Sequence, residues 1–132
     1  MKAHAIGVDI GGTKIAAGIV AGDGRLTERY VLPTSSTQGA AAVLETALEA
    51  ARQVLAVALA SGIPILAAGV GAAGHIDHER GVVTYAANTL PGWAGIDIRT
   101  AMKNALNLPV TVDNDVNTMA LGEQYIGAGR PF

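Results

Sequence analysis

The chain contains no cysteine, which excludes disulfides and thiolate metal sites and fits a cytoplasmic protein. Half of its residues are hydrophobic, yet it has no uninterrupted apolar run of about eighteen residues, so no membrane-spanning helix is expected. A basic face is also missing. Nine Lys and Arg stand against eleven Asp and Glu, for a net charge of −2 and a pI near 5.8. The basic residues are scattered along the chain, so nucleic acid is not an expected partner. Met1-Lys2-Ala3-His4 runs straight into an apolar strand, without the charged, apolar and small-residue order of a signal peptide. Internal repeats, low-complexity tracts and linkers are absent too, and 132 residues suit one domain.

What the chain has in excess is glycine. Seventeen of 132 residues is about twice the usual share, and they gather near the ends of apolar runs. Ala5 to Ile10 and Ile15 to Val20 are two such runs around Gly11-Gly12, which predicts a hairpin. A turn at Gly22-Asp23-Gly24 leads to a third antiparallel strand, Arg25 to Leu32, near a sheet edge. From Thr37 the period changes. Ala40, Val43, Leu44, Ala47, Leu48, Ala51, Val54, Leu55 and Ala58 recur at helical steps, with Ser36 or Thr37 as the expected cap and Gly62 and Pro64 as the stop.

Ile65 to Val70 reads as a strand buried on both faces, closed by a glycine loop at Gly71-Ala72-Ala73-Gly74. A short strand or ribbon at Gly81 to Tyr85 and a helix from Gly95 to Leu106, ahead of Pro109, are expected next. Val110-Thr111-Val112 then forms a strand, and Val116 to Tyr125 a last helix. The fold class is therefore mixed α/β, an antiparallel hairpin region joined to parallel strands, with helices on the faces. Any domain boundary is expected from Gly127 onward.

Three segments carry chemistry. Gly7-Val8-Asp9-Ile10-Gly11-Gly12-Thr13-Lys14 approaches the Walker pattern but departs from it, because Thr13 precedes Lys14 and a strand follows where a helix is required. What remains is a glycine hairpin whose bare backbone approaches phosphate oxygens, with Thr13 and Lys14 as donors and Asp9 placed to hold Mg²⁺ through water. A plain tight hairpin with a surface lysine explains the motif equally well.

Asp113-Asn114-Asp115 projects from the carboxyl end of a strand, where α/β sheets hold ligands. A sugar hydroxyl needs a carboxylate to take its proton, which suits Asp115, and Asn114 suits fixing the ring by hydrogen bonds. An Asp/Asn helix cap is the alternative. Asn88-Thr89-Leu90-Pro91-Gly92-Trp93 holds the one tryptophan; Asn88 can bind a hydroxyl while Trp93 packs beneath, or the segment is a well-packed loop. Gly74 can pass close to a bound ring or simply turn the chain. His4, His75 and His78 form no metal spacing with Asp77 or Glu79, and a solvated turn is expected there.

Taken together and in order, DIGGTK, GVGAAGHID, NTLPGW and DNDVNTMALGE resemble the ROK family of sugar kinases and repressors across nearly the whole chain. The resemblance implies a ribonuclease H-like, actin-like ATPase lobe over residues 1–132. It implies Asp115 as catalytic base, Asn88, Asn114, Asp115 and Gly74 as sugar contacts, and Asp9, Gly11, Gly12, Thr13 and Lys14 as contacts of ATP and Mg²⁺. The family's second lobe, with the adenine pocket and a zinc site, would lie outside this chain, so the lobe alone is expected to be inactive. Full-length, the implied protein is a cytoplasmic homodimer acting on a hexose or N-acetylhexosamine. Ala73 stands where many family kinases have proline, and Thr118 and Met119 where alanines are common; these bear on which sugar is bound. A repressor of the same family would carry a helix-turn-helix ahead of the first strand, which here starts within four residues of Met1. Kinase is the expected reading.

Overall fold

The computed structural model describes residues 4–22, 25–34, 38–85 and 92–114. Its elements run β1 (His4–Ile10), β2 (Lys14–Ala21), β3 (Leu26–Pro33), α1 (Ala40–Ala60), β4 (Ile65–Ala72), β5 (His75–Asp77), β6 (Val82–Tyr85), α2 (Ile98–Leu106) and β7 (Val110–Asn114). Five strands form one sheet in the order β3-β2-β1-β4-β7, and β5 pairs with β6 in a separate ribbon. The β1–β2 and β2–β3 pairs are antiparallel, while β1–β4 and β4–β7 are parallel. The mixed sheet is thus the expected one.

Strand periodicity of two divides this sheet into unlike faces. Ile6, Val8 and Ile10 stand in register with Ile19, Ala17 and Ile15 on one side and with Ala68, Val70 and Ala72 on the other. All of these are buried in the main core cluster together with Val43, Ala47, Leu48, Ala50, Ala51, Val54 and Ala58 of α1. Four of those seven helix residues are alanines, so the sheet supplies the bulk and the helix lies close on it, which keeps the layer densely packed. α2 adds Ile98, Met102 and Leu106, at four-residue spacing, to the same cluster.

Two expectations change at the element ends. α1 starts at Ala40, the first residue of the apolar period, and its N-cap is Gly39, with no side-chain capping bond, in place of the Ser36 or Thr37 expected. The loop expected at 71–74 shrinks to Ala73 and Gly74, because β4 keeps pairing with β1 through Ala72. α2 is capped as a short helix requires. Asp97 accepts from the Thr100 amide at 3.0 Å and from its hydroxyl at 2.8 Å, and Asn107 closes the far end in the left-handed region. No described helix is long and apolar enough to cross a membrane. The last predicted helix, 116–125, and the boundary from Gly127 lie outside the described residues.

Candidate functional site

The carboxyl ends of the three parallel strands β1, β4 and β7 meet along one edge of the sheet, the place where α/β sheets present ligand groups. Asp9 of β1 is in register with Gly71 of β4, and Gly71 with Asp113 of β7. The two aspartates therefore stand on one face, two strand spacings or about 10 Å apart, with only a hydrogen where Gly71 would carry a side chain. Asp9 is half-buried and its Oδ1 is shielded from solvent. The next positions in register are Ile10, Ala72 and the backbone of Asn114.

Beyond β1 the chain reverses over Gly11, Gly12 and Thr13. The Gly11 amide donates to Lys14 O at 3.0 Å, and a Cβ on Gly11 would press on that same carbonyl at 3.0 Å, so the tightness of the turn requires glycine there. At Gly12 a Cβ would meet nothing within 4 Å, which means the space beside it is open. Among the described residues, no backbone carbonyl accepts from the amides of Gly12 or Thr13. The Thr13 and Lys14 residues are exposed. Successive open amides with a hydroxyl and an ammonium beside them make a concavity suited to an anion. Asp9 offers a hard oxygen ligand to a hydrated cation such as Mg²⁺, and among the described residues no cluster of three or more His, Asp or Glu forms a closed metal site. These residues fit the phosphates of a nucleotide with its metal, and a strand follows the turn, as the sequence requires.

A second loop system lies beside the turn. The Ala73 amide donates to Ile10 O at 3.0 Å, extending the β1–β4 ladder by one residue to the edge of Gly74, whose φ is 101°. The Ala73 carbonyl accepts from Trp93 Nε1 at 3.0 Å. Trp93 is completely buried, so its one polar atom has the partner such burial demands. Arg99 at the start of α2 donates from Nη1 to Glu79 O and from Nη2 to His78 O at 2.8 Å, tying the β5–β6 turn to the helix. Asp77 also helps shape that turn. The Arg80 side chain donates to it at 2.7 Å and the Arg80 and Glu79 amides donate as well, and these bonds, the arginine first, hold its carboxyl below the usual aspartate value.

The structure thus brings Asp9, Gly11, Gly12, Thr13, Lys14 and Gly74 to one edge together with the backbone of Asn114. Asn88 and Asp115 lie outside the described residues; β7 ends at the residue before Asp115. Three anchors were not foreseen. Thr34 bonds to the Gly11–Thr13 turn, Arg99 holds the β5–β6 turn, and β5 itself pairs with β6 where a solvated turn was expected. The alternation His75-Ile76-Asp77 was the available signal for β5, while Thr34 and Arg99 act across 20 to 23 residues and leave none.

The ROK family model matches residues 5–131. Glucokinase of Streptomyces coelicolor is 38% identical over 126 residues, which cover 95% of this chain and 37% of that protein. Among solved structures, the ROK hexokinase of Thermus thermophilus superposes with a TM-score of 0.71 at 37% identity, covering 89% of this chain and 36% of its own. A ROK family glucokinase of Streptomyces griseus, solved with glucose and AMPPNP, gives 0.69 at 35% identity, covering 96% and 38%. The chain therefore spans little more than a third of the length of these relatives and has the mixed sheet of the actin-like ATPase fold that they share.

Proposed function

This chain belongs to the ROK family, and from that membership we propose that it is the phosphate- and sugar-handling N-terminal lobe of an ATP-dependent kinase for a hexose or N-acetylhexosamine. The observation that carries the reading is the shared edge. An anion-ready turn at Gly11–Thr13 adjoins the Asp9–Gly71–Asp113 row, and β7 leads directly into Asp115. The glucokinase solved with glucose and AMPPNP supports ATP as donor and a hexose as acceptor.

In this mechanism the Gly12 and Thr13 amides, the Thr13 hydroxyl and Lys14 bind the polyphosphate, and Asp9 holds Mg²⁺ through water. ATP with Mg²⁺ supplies the transferable phosphoryl group and neutralises its charge. Asn88, Asn114 and the backbone at Gly74 fix the sugar, and Asp115 accepts the proton of the attacking hydroxyl. Closure against a second lobe excludes water from the reacting groups. The full-length protein is, in this reading, a cytoplasmic homodimer, which sedimentation checks.

The test is a coupled ADP-release assay on the full-length protein with glucose, N-acetylmannosamine, N-acetylglucosamine, fructose and allose. One of these sugars is expected to release ADP. Asp115→Asn should lower turnover by about 10²–10⁴-fold while sugar binding persists. Unchanged turnover in that variant removes Asp115 as the base.

A further inference from the structure

Thr34, which follows directly on β3, is completely buried, and no other hydroxyl-bearing, amide-bearing or charged residue among those described is. Its hydroxyl donates to Gly11 O at 2.7 Å, and its amide donates to Thr13 O at 3.0 Å. One residue therefore holds the carbonyls of Gly11 and Thr13, the residues on either side of Gly12. A buried hydroxyl costs free energy unless bonded, so this arrangement is self-enforcing: Thr34 keeps its burial only while Gly11 O points toward it.

The direction of that carbonyl has a consequence on the other side of the peptide. The bond between Gly11 and Gly12 is trans, as there are no cis peptides among the described residues. In a planar trans peptide the N–H points opposite to the C=O. Holding Gly11 O against Thr34 turns the Gly12 amide to the side away from Thr34, where no backbone carbonyl among the described residues accepts from it. Glycine at both positions gives the peptide unit freedom to rotate, so without an anchor that donor would be free to swing. The anchor arrives from β3, the one strand of the sheet that is exposed along nearly its whole length.

We infer that Thr34 is a positioning residue for the phosphate turn, aiming the Gly12 amide at the nucleotide's phosphates by holding the Gly11 carbonyl from behind. Thr34 itself touches no substrate. The inference rests on the kinase reading above for the identity of the anion, and on the hydrogen bonds alone for the clamp. Its energetic scale is that of one buried hydrogen bond, which corresponds to an affinity change of about tenfold.

The experiment compares full-length wild type, Thr34→Val and Thr34→Ser. Valine keeps the shape and removes the donor, whereas serine keeps the donor. Thr34→Val is expected to raise KM for ATP about tenfold and to leave KM for the sugar within about twofold. Thr34→Ser should return KM for ATP to near the wild-type value. Deuterium exchange of the peptide spanning residues 11–14 should quicken in Thr34→Val and not in Thr34→Ser. Equal rises in both KM values, a serine variant as impaired as valine, or unchanged exchange in the valine variant each overturn the clamp. Wild type that turns over none of the sugars with ATP sinks the kinase reading instead, and the exchange comparison then still decides whether Thr34 orders the turn. Should the valine variant fail to accumulate, serine against wild type carries the same comparison: loss of the ATP effect's reversal, read as a raised KM for ATP in serine, counts against the proposal.

Discussion

The two faces of the central sheet are made by the same strands and differ in almost everything else. One carries Ile6, Val8, Ile10, Ile15, Ile19, Val70, Val110 and Val112, all buried against the alanine-rich α1 and against α2. The other carries Ala5, Gly7, Asp9, Ala16, Gly18, Val20, Ala67, Gly69, Gly71, Thr111 and Asp113, residues that are small or acidic except for Val20 and Thr111 and that alternate with them in the registers of β1, β2, β4 and β7. Large branched side chains maximise burial and dispersion, and so belong where stability is needed. Small and acidic ones leave room, and so belong where the sheet must reach a ligand. The branched side chains and the mostly small or acidic ones stand on opposite sides of one pleat, and the candidate site lies at its carboxyl edge.

Substitutions that exchange the characters of the two faces test this division. The largest effect is expected of the Asp115→Asn variant already described, which should remove turnover without moving the melting temperature. On the branched face, Ile6→Ala should cost about 2–5 kcal/mol of stability, read by chemical denaturation, with KM values of the folded fraction unchanged. A loss of activity larger than the loss of folded protein would break the division. On the small face, Gly71→Val puts a branched side chain between Asp9 and Asp113. Overpacking of this kind costs about 1–3 kcal/mol, and the Mg²⁺ concentration needed for half-maximal turnover should rise as well. Stability loss alone, with unaltered Mg²⁺ dependence, would place the metal elsewhere.

Smaller effects belong to the loop system that borders the site. Trp93→Phe keeps the ring in the core and deletes the bond to Ala73 O, for a cost of about 1 kcal/mol and a raised KM for the sugar as Gly74 loosens. The smallest concerns Asp77. Its pKa is lowered on folding, chiefly by the Arg80 hydrogen bond, so its contribution is fully present above the ordinary value of 3.8. That contribution is lost as the pH falls through the lower folded-state value. Melting curves of wild type and Asp77→Asn should differ slightly at neutral pH and converge in acid; divergence on acidification would reverse the sign.

Much of the fold could be read from the chain because its signals are local. The glycine pair between two β-branched runs specified the β1–β2 hairpin, and the three- and four-residue recurrence of alanine, valine and leucine specified α1. The parallel strands showed as continuous apolar runs. The elements that escaped were short or marginal. β5 spans three residues, too few for alternation to stand out, and the N-cap of α1 is Gly39, which has no side chain to mark it, so the cap was sought at Ser36 or Thr37 instead. At the candidate site, Asp9, Gly11 to Lys14, Gly74 and Asn114 could be picked out because motif spacing and turn chemistry mark them. That Asp9 and Asp113 share a row across Gly71 could not, since register depends on which strands pair.

The sequence by itself determined the types of the described elements other than β5, the glycine turn and the acidic strand end, because each depends on residues within a few positions of one another. Only the tertiary structure decided that Thr34 would hold Gly11 across 23 residues, that Trp93 would hold Ala73 across 20, and that Arg99 would hold the β5–β6 turn. Such contacts exist only after the intervening loops have closed. Their partners are polar or apolar residues of ordinary kinds, and loop closure leaves no periodicity to record which two will meet.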